Sequence, residues 1–184
     1  MRTLPDLLRA SSGRRLDVVF AGINPGERSA QLGHYYAHPG NAFWRALEAS
    51  PLAEGVVRPG DDRALPNRLG IGFTDVVKRV VTDSTRVTAE ELRAAAPHFA
   101  RRIAYAHPRA VCFTNTRAFE TLFPRAWRAR NWGAQRLRLA DAEVWVMPST
   151  SGRAAAYRGE VTRVLEELAA SLGRGERKAL EGAA

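Results

Sequence analysis

Asp17-Val18-Val19-Phe20-Ala21-Gly22 runs directly into Ile23-Asn24-Pro25-Gly26-Glu27-Arg28-Ser29. The first half is a short apolar run rich in Val and Phe and closed by Gly, the pattern of a parallel strand buried on both faces. The second half concentrates Asn, Pro and Gly, so the chain turns sharply and thrusts Asn24 out at the strand end. In open α/β sheets, ligands bind outside the carboxyl ends of the strands, which makes this loop the first place to look for chemistry. On local composition alone, Asn-Pro-Gly is also ordinary turn material.

Working outward, Ile71 and Phe73 mark a second short strand, Ala110 to Thr114 a third and Val144 to Met147 a fourth. Arg136 to Leu139 alternates and reads as an edge strand. Helical stretches lie between them. Ala42 to Ala49 follows Asn41, a plausible N-cap, and Thr88-Ala89-Glu90-Glu91 is a capping box. Pro97 is expected to kink or split the helix it opens, because it lacks a donor and crowds the preceding turn. From about Glu160 to Leu172, Val161, Leu165 and Leu168 share one helical face. Strands alternating with helices predict a three-layer α/β/α sandwich around a mostly parallel sheet of four or five strands. We expect a single domain over 1–184, with its core at about 15–173 and a loose, charged tail at 174–184.

Composition narrows the partners. Lys and Arg number 28 against 19 Asp and Glu, a formal charge of +9 in 184 residues. Polyanions match such a chain: nucleic acid first, an anionic membrane surface second, with plain solubility the bland alternative. Cys112 is the lone cysteine, so no disulfide and no multi-cysteine metal site forms within the chain. The histidines at 34, 38, 98 and 107 lack the paired spacing of a zinc site. Met1 to Pro5 has no signal-peptide core, and no stretch approaches the ~20 apolar residues of a membrane span. A cytoplasmic protein with no membrane partner is expected.

Three further blocks accompany the Gly22-Ile23-Asn24-Pro25-Gly26 loop. They are His34-Tyr35-Tyr36-Ala37-His38-Pro39-Gly40-Asn41-Ala42-Phe43-Trp44, Gly70-Ile71-Gly72-Phe73-Thr74-Asp75-Val76-Val77, and Met147-Pro148-Ser149-Thr150-Ser151-Gly152-Arg153. In this order, over roughly residues 17 to 157, they resemble the mismatch-specific uracil/thymine-DNA glycosylases of the uracil-DNA glycosylase superfamily. The resemblance implies a monofunctional glycosylase of base-excision repair, acting on uracil and related bases mispaired with guanine. Its partner would be double-stranded DNA carrying a U·G or T·G mismatch, and the enzyme would act as a monomer. No cofactor is called for, since water is positioned and the leaving group stabilised by hydrogen bonds.

Enzymes that cut a base from its sugar must first extrude the nucleotide, so they need a pocket, a wedge and a grip on phosphate. By the resemblance, Asn24 holds the attacking water; its amide oxygen orients water but accepts no proton at neutral pH. Gly22 and Ile23 supply backbone to the base pocket, where N–H groups would stabilise the anionic leaving group. Tyr36 would stack on the base, the alternative being an aromatic packed in the core. Ser29 is a candidate for a base-edge or backbone contact. Arg153 falls where relatives insert a side chain into the gap, the alternative being a phosphate contact. Ser149, Ser151 and Gly152 would pinch the DNA backbone, though Ser beside Pro is also common in turns.

Two acidic residues depart from the pattern. Asp75 stands where members carry an amide or Lys near the base, and a carboxylate offers a uracil carbonyl no donor unless protonated. Asp83, in the polar loop Val80 to Thr85, is a reserve general base if that loop covers the pocket, and otherwise a cap. No lysine stands at position 24, so no Schiff base or lyase step is expected. Arg101, Arg102, Arg125, Arg128 and Arg130 read as surface charges, some along a phosphate track. Trp127, Trp132 and Trp145 read as packing residues. Competing readings are a non-catalytic mismatch- or damaged-DNA-binding module and a hydrolase of free nucleosides.

Overall fold

Alternate residues of the strands go to opposite layers, and this divides the core in two. On one face of the sheet, Val18, Phe20, Ile71, Phe73, Cys112 and Trp145 pack beneath Phe43, Leu47, Leu65, Val164 and Leu168. On the other, Val19, Ala21, Val111, Phe113, Val144 and Val146 pack against Leu92, Phe99, Ile103 and Phe119. The computed structural model describes residues 3–126 and 131–174, apart from the side chain of Arg153. Trp127, Arg128, Arg130 and residues 175–184 lie outside the described residues.

The strands are β1 (Val18–Gly22), β2 (Ile71–Asp75), β3 (Ala110–Phe113), β4 (Gly133–Leu139) and β5 (Ala142–Val146). They form one sheet in the order β2-β1-β3-β5-β4, all parallel except β4, which runs antiparallel to β5. The chain leaves β1 first for β2 on one side and later for β3 on the other, so the switch point of this α/β sheet lies at the end of β1. Helices α2 (Phe43–Ala49), α3 (Leu65–Arg68) and α6 (Arg158–Ser171) form one outer layer. Helices α4 (Ala89–Ala106) and α5 (Thr116–Leu122) form the other, and α1 (Glu27–Leu32) follows the β1 loop. The expected α/β/α sandwich with five strands is present.

The expected capping box opens α4: Thr88 Oγ1 accepts from the Glu91 N–H at 3.1 Å while Glu91 accepts from the Thr88 N–H at 2.8 Å. Asn41 Oδ1 accepts from the Phe43 N–H at 2.9 Å, but the N-cap of α2 is Ala42, without a side-chain cap, one residue beyond the Asn41 expected there.

Three expectations need correction. Pro97 does not split its helix: α4 is continuous from Ala89 to Ala106. Pro97 and Arg93 both lie on the exposed side of α4, where water can take the place of the donor Pro97 lacks. The loose tail does not begin at 174. Arg174 is buried, donating to Asp17 Oδ2 at 2.6 Å, to the Leu52 carbonyl at 3.0 Å and to the Leu69 carbonyl. The core also starts earlier than 15. Leu4 and Leu8 are buried, and Leu7 pairs antiparallel with Phe73, covering the open edge of β2.

Candidate active site

A cavity of about 490 Å³ opens at the carboxyl ends of β1, β2 and β3, walled on its far side by the loop that follows β5. Gly22, Ile23, Asn24, Ser29, Tyr36, Asp75, Ser149, Ser151 and Gly152 all line it. Residues more than a hundred positions apart in sequence thus converge because the parallel strands end together.

Asn24 is held in one orientation. Its Nδ2 donates to the Pro25 carbonyl at 2.9 Å and to the Val81 carbonyl at 2.9 Å. Both amide hydrogens are committed, and Oδ1 is a buried acceptor without a donor among the described residues. The segment after β2 lies along the loop after β1, with Val76, Val77 and Val81 N–H groups donating to the Gly22, Ile23 and Pro25 carbonyls. That ladder seats the amide.

Asp75 is register-paired with Gly22 across β1 and β2. The pairing is so close that a Cβ on Gly22 would overlap Asp75 Oδ1, so glycine is required there for steric reasons. Asp75 is 3% exposed, and its Oδ2 has no hydrogen-bond partner among the described residues. Burial pushes its carboxyl up to about 7; the nearby Asp6 adds to this, while Lys78 and Arg102 oppose it. Arg102 is no surface charge, contrary to expectation. It is half-buried and donates to the Asp75 carbonyl at 2.7 Å, and its Nε lies 3.4 Å from Asp6 Oδ2. Asp6 also accepts from Thr74 Oγ1 and Lys78 Nζ, so an N-terminal residue ties down the strand that carries Asp75.

Tyr36 occupies the left-handed backbone region at φ 51°, uncommon for a side chain of its size. Its neighbours hold it there: Asp62 accepts from the Tyr35 N–H at 2.9 Å, and Ser29 Oγ accepts from the Ala37 N–H at 3.1 Å. The Tyr36 ring stacks on Phe43 at 4.2 Å between centroids, and its hydroxyl lies 3.2 Å from Thr114 Oγ1. Burial, with Asp75 close by, holds that hydroxyl protonated well above the usual range for tyrosine. Tyr36 is therefore both a packed aromatic and part of the cavity wall. Ser29 makes a backbone contact, but within the protein, where it anchors the Tyr36 turn.

In the loop after β5, Ser149 Oγ accepts from the Ser151 N–H at 3.2 Å and lies 3.1 Å from Ser151 Oγ. The Ala42 N–H donates to the Thr150 carbonyl at 2.8 Å, pinning this loop to the start of α2. Arg153 follows in a short 3-10 turn, Gly152–Tyr157; its side chain lies outside the described residues. Asp83 stands apart from the other candidates. Its Oδ1 accepts from the Thr85 N–H at 3.0 Å, capping a turn, and its neighbours Thr82 and Ser84 line the cavity where Asp83 itself does not.

Thr114 and Asn115 also line the cavity, and sequence reasoning did not single them out. The signal was available: they end the strand that pairs with β1, where polar residues face the same crevice. Trp145 is buried, and Trp132 is half-buried with Nε1 donating to Thr116 Oγ1 at 3.0 Å, both in packing roles.

The arrangement is a deep crevice at the switch point of an α/β sheet, carrying a pinned amide, a buried carboxyl, an aromatic wall and a serine loop. Residues 11–172 match the family model of the uracil DNA glycosylase superfamily, so the chain belongs to that superfamily. It is a hydrolase of the DNA glycosylase class, and its partner is DNA.

Proposed function

We propose that this protein removes uracil mispaired with guanine from double-stranded DNA, after extruding the nucleotide into the cavity at the end of β1. The observation that carries this reading is Asn24, a cavity-lining residue: both amide hydrogens are spent on backbone carbonyls, so the group it leaves for a water is the acceptor Oδ1, buried and without a donor among the described residues. The water attacks C1′ of the sugar as the glycosidic bond breaks, and the bonding electrons leave with the base as a uracil anion.

The proton released by the water needs an acceptor. Asp75 suits that task better than Asp83, because it lines the cavity, its Oδ2 has no partner among the described residues, and burial pushes its carboxyl up to about 7. The amide at position 24 forms no Schiff base, so the reaction ends at the abasic site without strand scission. The Ser149–Gly152 loop is suited to gripping phosphate, and Arg153 to filling the gap left in the duplex. In this reading the protein works as a monomer in the cytoplasm, on chromosomal DNA, in base-excision repair.

Alkali treatment of end-labelled duplexes carrying U·G, T·G or U·A, and of single-stranded uracil DNA, tests the reading. Cleavage at U·G that exceeds cleavage at U·A supports it. Equal cleavage of every uracil substrate would leave a uracil glycosylase without mismatch preference. Binding of mismatched DNA without any cleavage would replace the enzyme with a binding module.

A further inference from the structure

A second cavity, of about 300 Å³, lies on the other side of the Ser149–Gly152 loop from the base pocket. Its walls are α2, the turn after Ser151 and the first turns of α6, which meet there across small residues such as Ala46 and Ala155. Arg45 and Arg158 stand at its rim, both exposed. Neither guanidinium has a partner among the described residues. No carboxylate among the described residues lines the cavity. The nearby acids Glu48 and Glu160 are engaged elsewhere, with Arg58 and Arg163.

We propose that this groove binds a sugar–phosphate unit of the duplex next to the extruded nucleotide, with Arg45 and Arg158 holding the phosphate. The inference rests on the reading of the neighbouring cavity as the base pocket. Two unpaired guanidiniums with no opposing acid attract an anion, and Arg presents a planar fork matched to phosphate oxygens. The low alanine floor admits a deoxyribose that larger side chains would exclude. The shared serine loop fixes where the groove lies: a strand whose base enters one cavity passes directly over the other. The chain's charge of +9 favours the same occupant over an acidic protein segment only through position, since the groove is continuous with the DNA site.

The test is a salt titration of affinity for a fluorescent duplex carrying a tetrahydrofuran abasic-site analogue opposite guanine. Wild type is compared with Arg45→Ala/Arg158→Ala and with a charge-matched control, Arg93→Ala/Arg136→Ala, whose residues lie on α4 and β4. Circular dichroism verifies that each variant is folded. Loss of the grip on this one phosphate makes the slope of log K against log salt shallower by about 0.9, while the control keeps the wild-type slope. An unchanged slope in Arg45→Ala/Arg158→Ala, or an equal change in the control, overturns the proposal; the former would leave the groove to a protein partner. Uracil release from U·G duplex by wild type is measured alongside. Release with an unchanged slope refutes this site alone, whereas a changed slope without any release refutes the glycosylase reading alone.

Discussion

Asn24 Nδ2 donates to the Val81 carbonyl at 2.9 Å, joining the loop after β1 to the loop after β2 across 57 positions of sequence. With the bond to the Pro25 carbonyl, it commits both amide hydrogens and leaves the buried Oδ1 without a donor among the described residues. In the proposed mechanism, Asn24→Ala removes the water-orienting oxygen and leaves the phosphate grip in place. Single-turnover uracil release from a U·G duplex is expected to fall by about 10²–10³-fold, while affinity for an abasic-analogue duplex changes by only a few-fold. Equal losses in rate and affinity would mean that Asn24 serves binding alone.

In the proposed mechanism Asp75 makes the rate depend on pH. As a proton acceptor it works in the ionised form, so single-turnover release should rise with pH and level off above a midpoint near 7. Lys78 and Arg102 pull that midpoint down and Asp6 raises it, so Asp6→Asn should shift it to lower pH. Asp75→Asn is expected to slow release and flatten the profile. Asp83→Asn, which alters a turn cap, should preserve both. A rate that declines through pH 7 would instead make the protonated carboxyl the working form, a donor to the base.

The same group affects stability with a definite sign. Its folded value, about 7, lies above the ordinary 3.8, so the folded protein holds a proton that the unfolded chain has released. Stability from this group is full below pH 4 and is lost as pH rises toward 7. Asp75→Asn keeps the shape without the charge. It should stabilise the protein at pH 8 by on the order of 2–4 kcal/mol and change little at pH 4. Urea denaturation at the two pH values measures the difference, and identical gains at both would rule out titration as the cause.

Arg174 should behave as part of the core. It reaches Asp17 and two backbone carbonyls. Burial would raise the Asp17 carboxyl, but Arg174, Arg14 and Arg109 outweigh it and hold the carboxyl below its usual value. Arg174→Ala strands buried acceptors, at a cost of about 2–4 kcal/mol. Thermal denaturation should reveal a lowered Tm, whereas uracil release at 25 °C should persist because Arg174 is absent from the cavity lining. Unaltered Tm would return Arg174 to the tail.

Fold class and most of the crevice-lining residues were legible in the amino-acid sequence. Buried parallel strands read as unbroken apolar runs, such as Val18 to Ala21, because both faces are covered. The Gly22–Gly26 turn locates chemistry because strand ends meet at one edge of the sheet. Three-dimensional packing decided the rest. Whether Pro97 breaks a helix depends on which side of α4 it lies. Whether Arg102 meets DNA or the back of Asp75 depends on how α4 seats against β2, and whether Arg174 is tail or core depends on Asp17, 157 positions away. The sequence placed Asp75 beside the base pocket and left Asp83 a reserve base or a cap, without saying which carboxyl would be buried. Register decided that: pairing with Gly22 buries Asp75 in the crevice, and burial pushes its carboxyl up, whereas Asp83 caps a turn. Desolvation and long-range pairing are properties of the assembled neighbours, and they become definite only when the strands lie side by side.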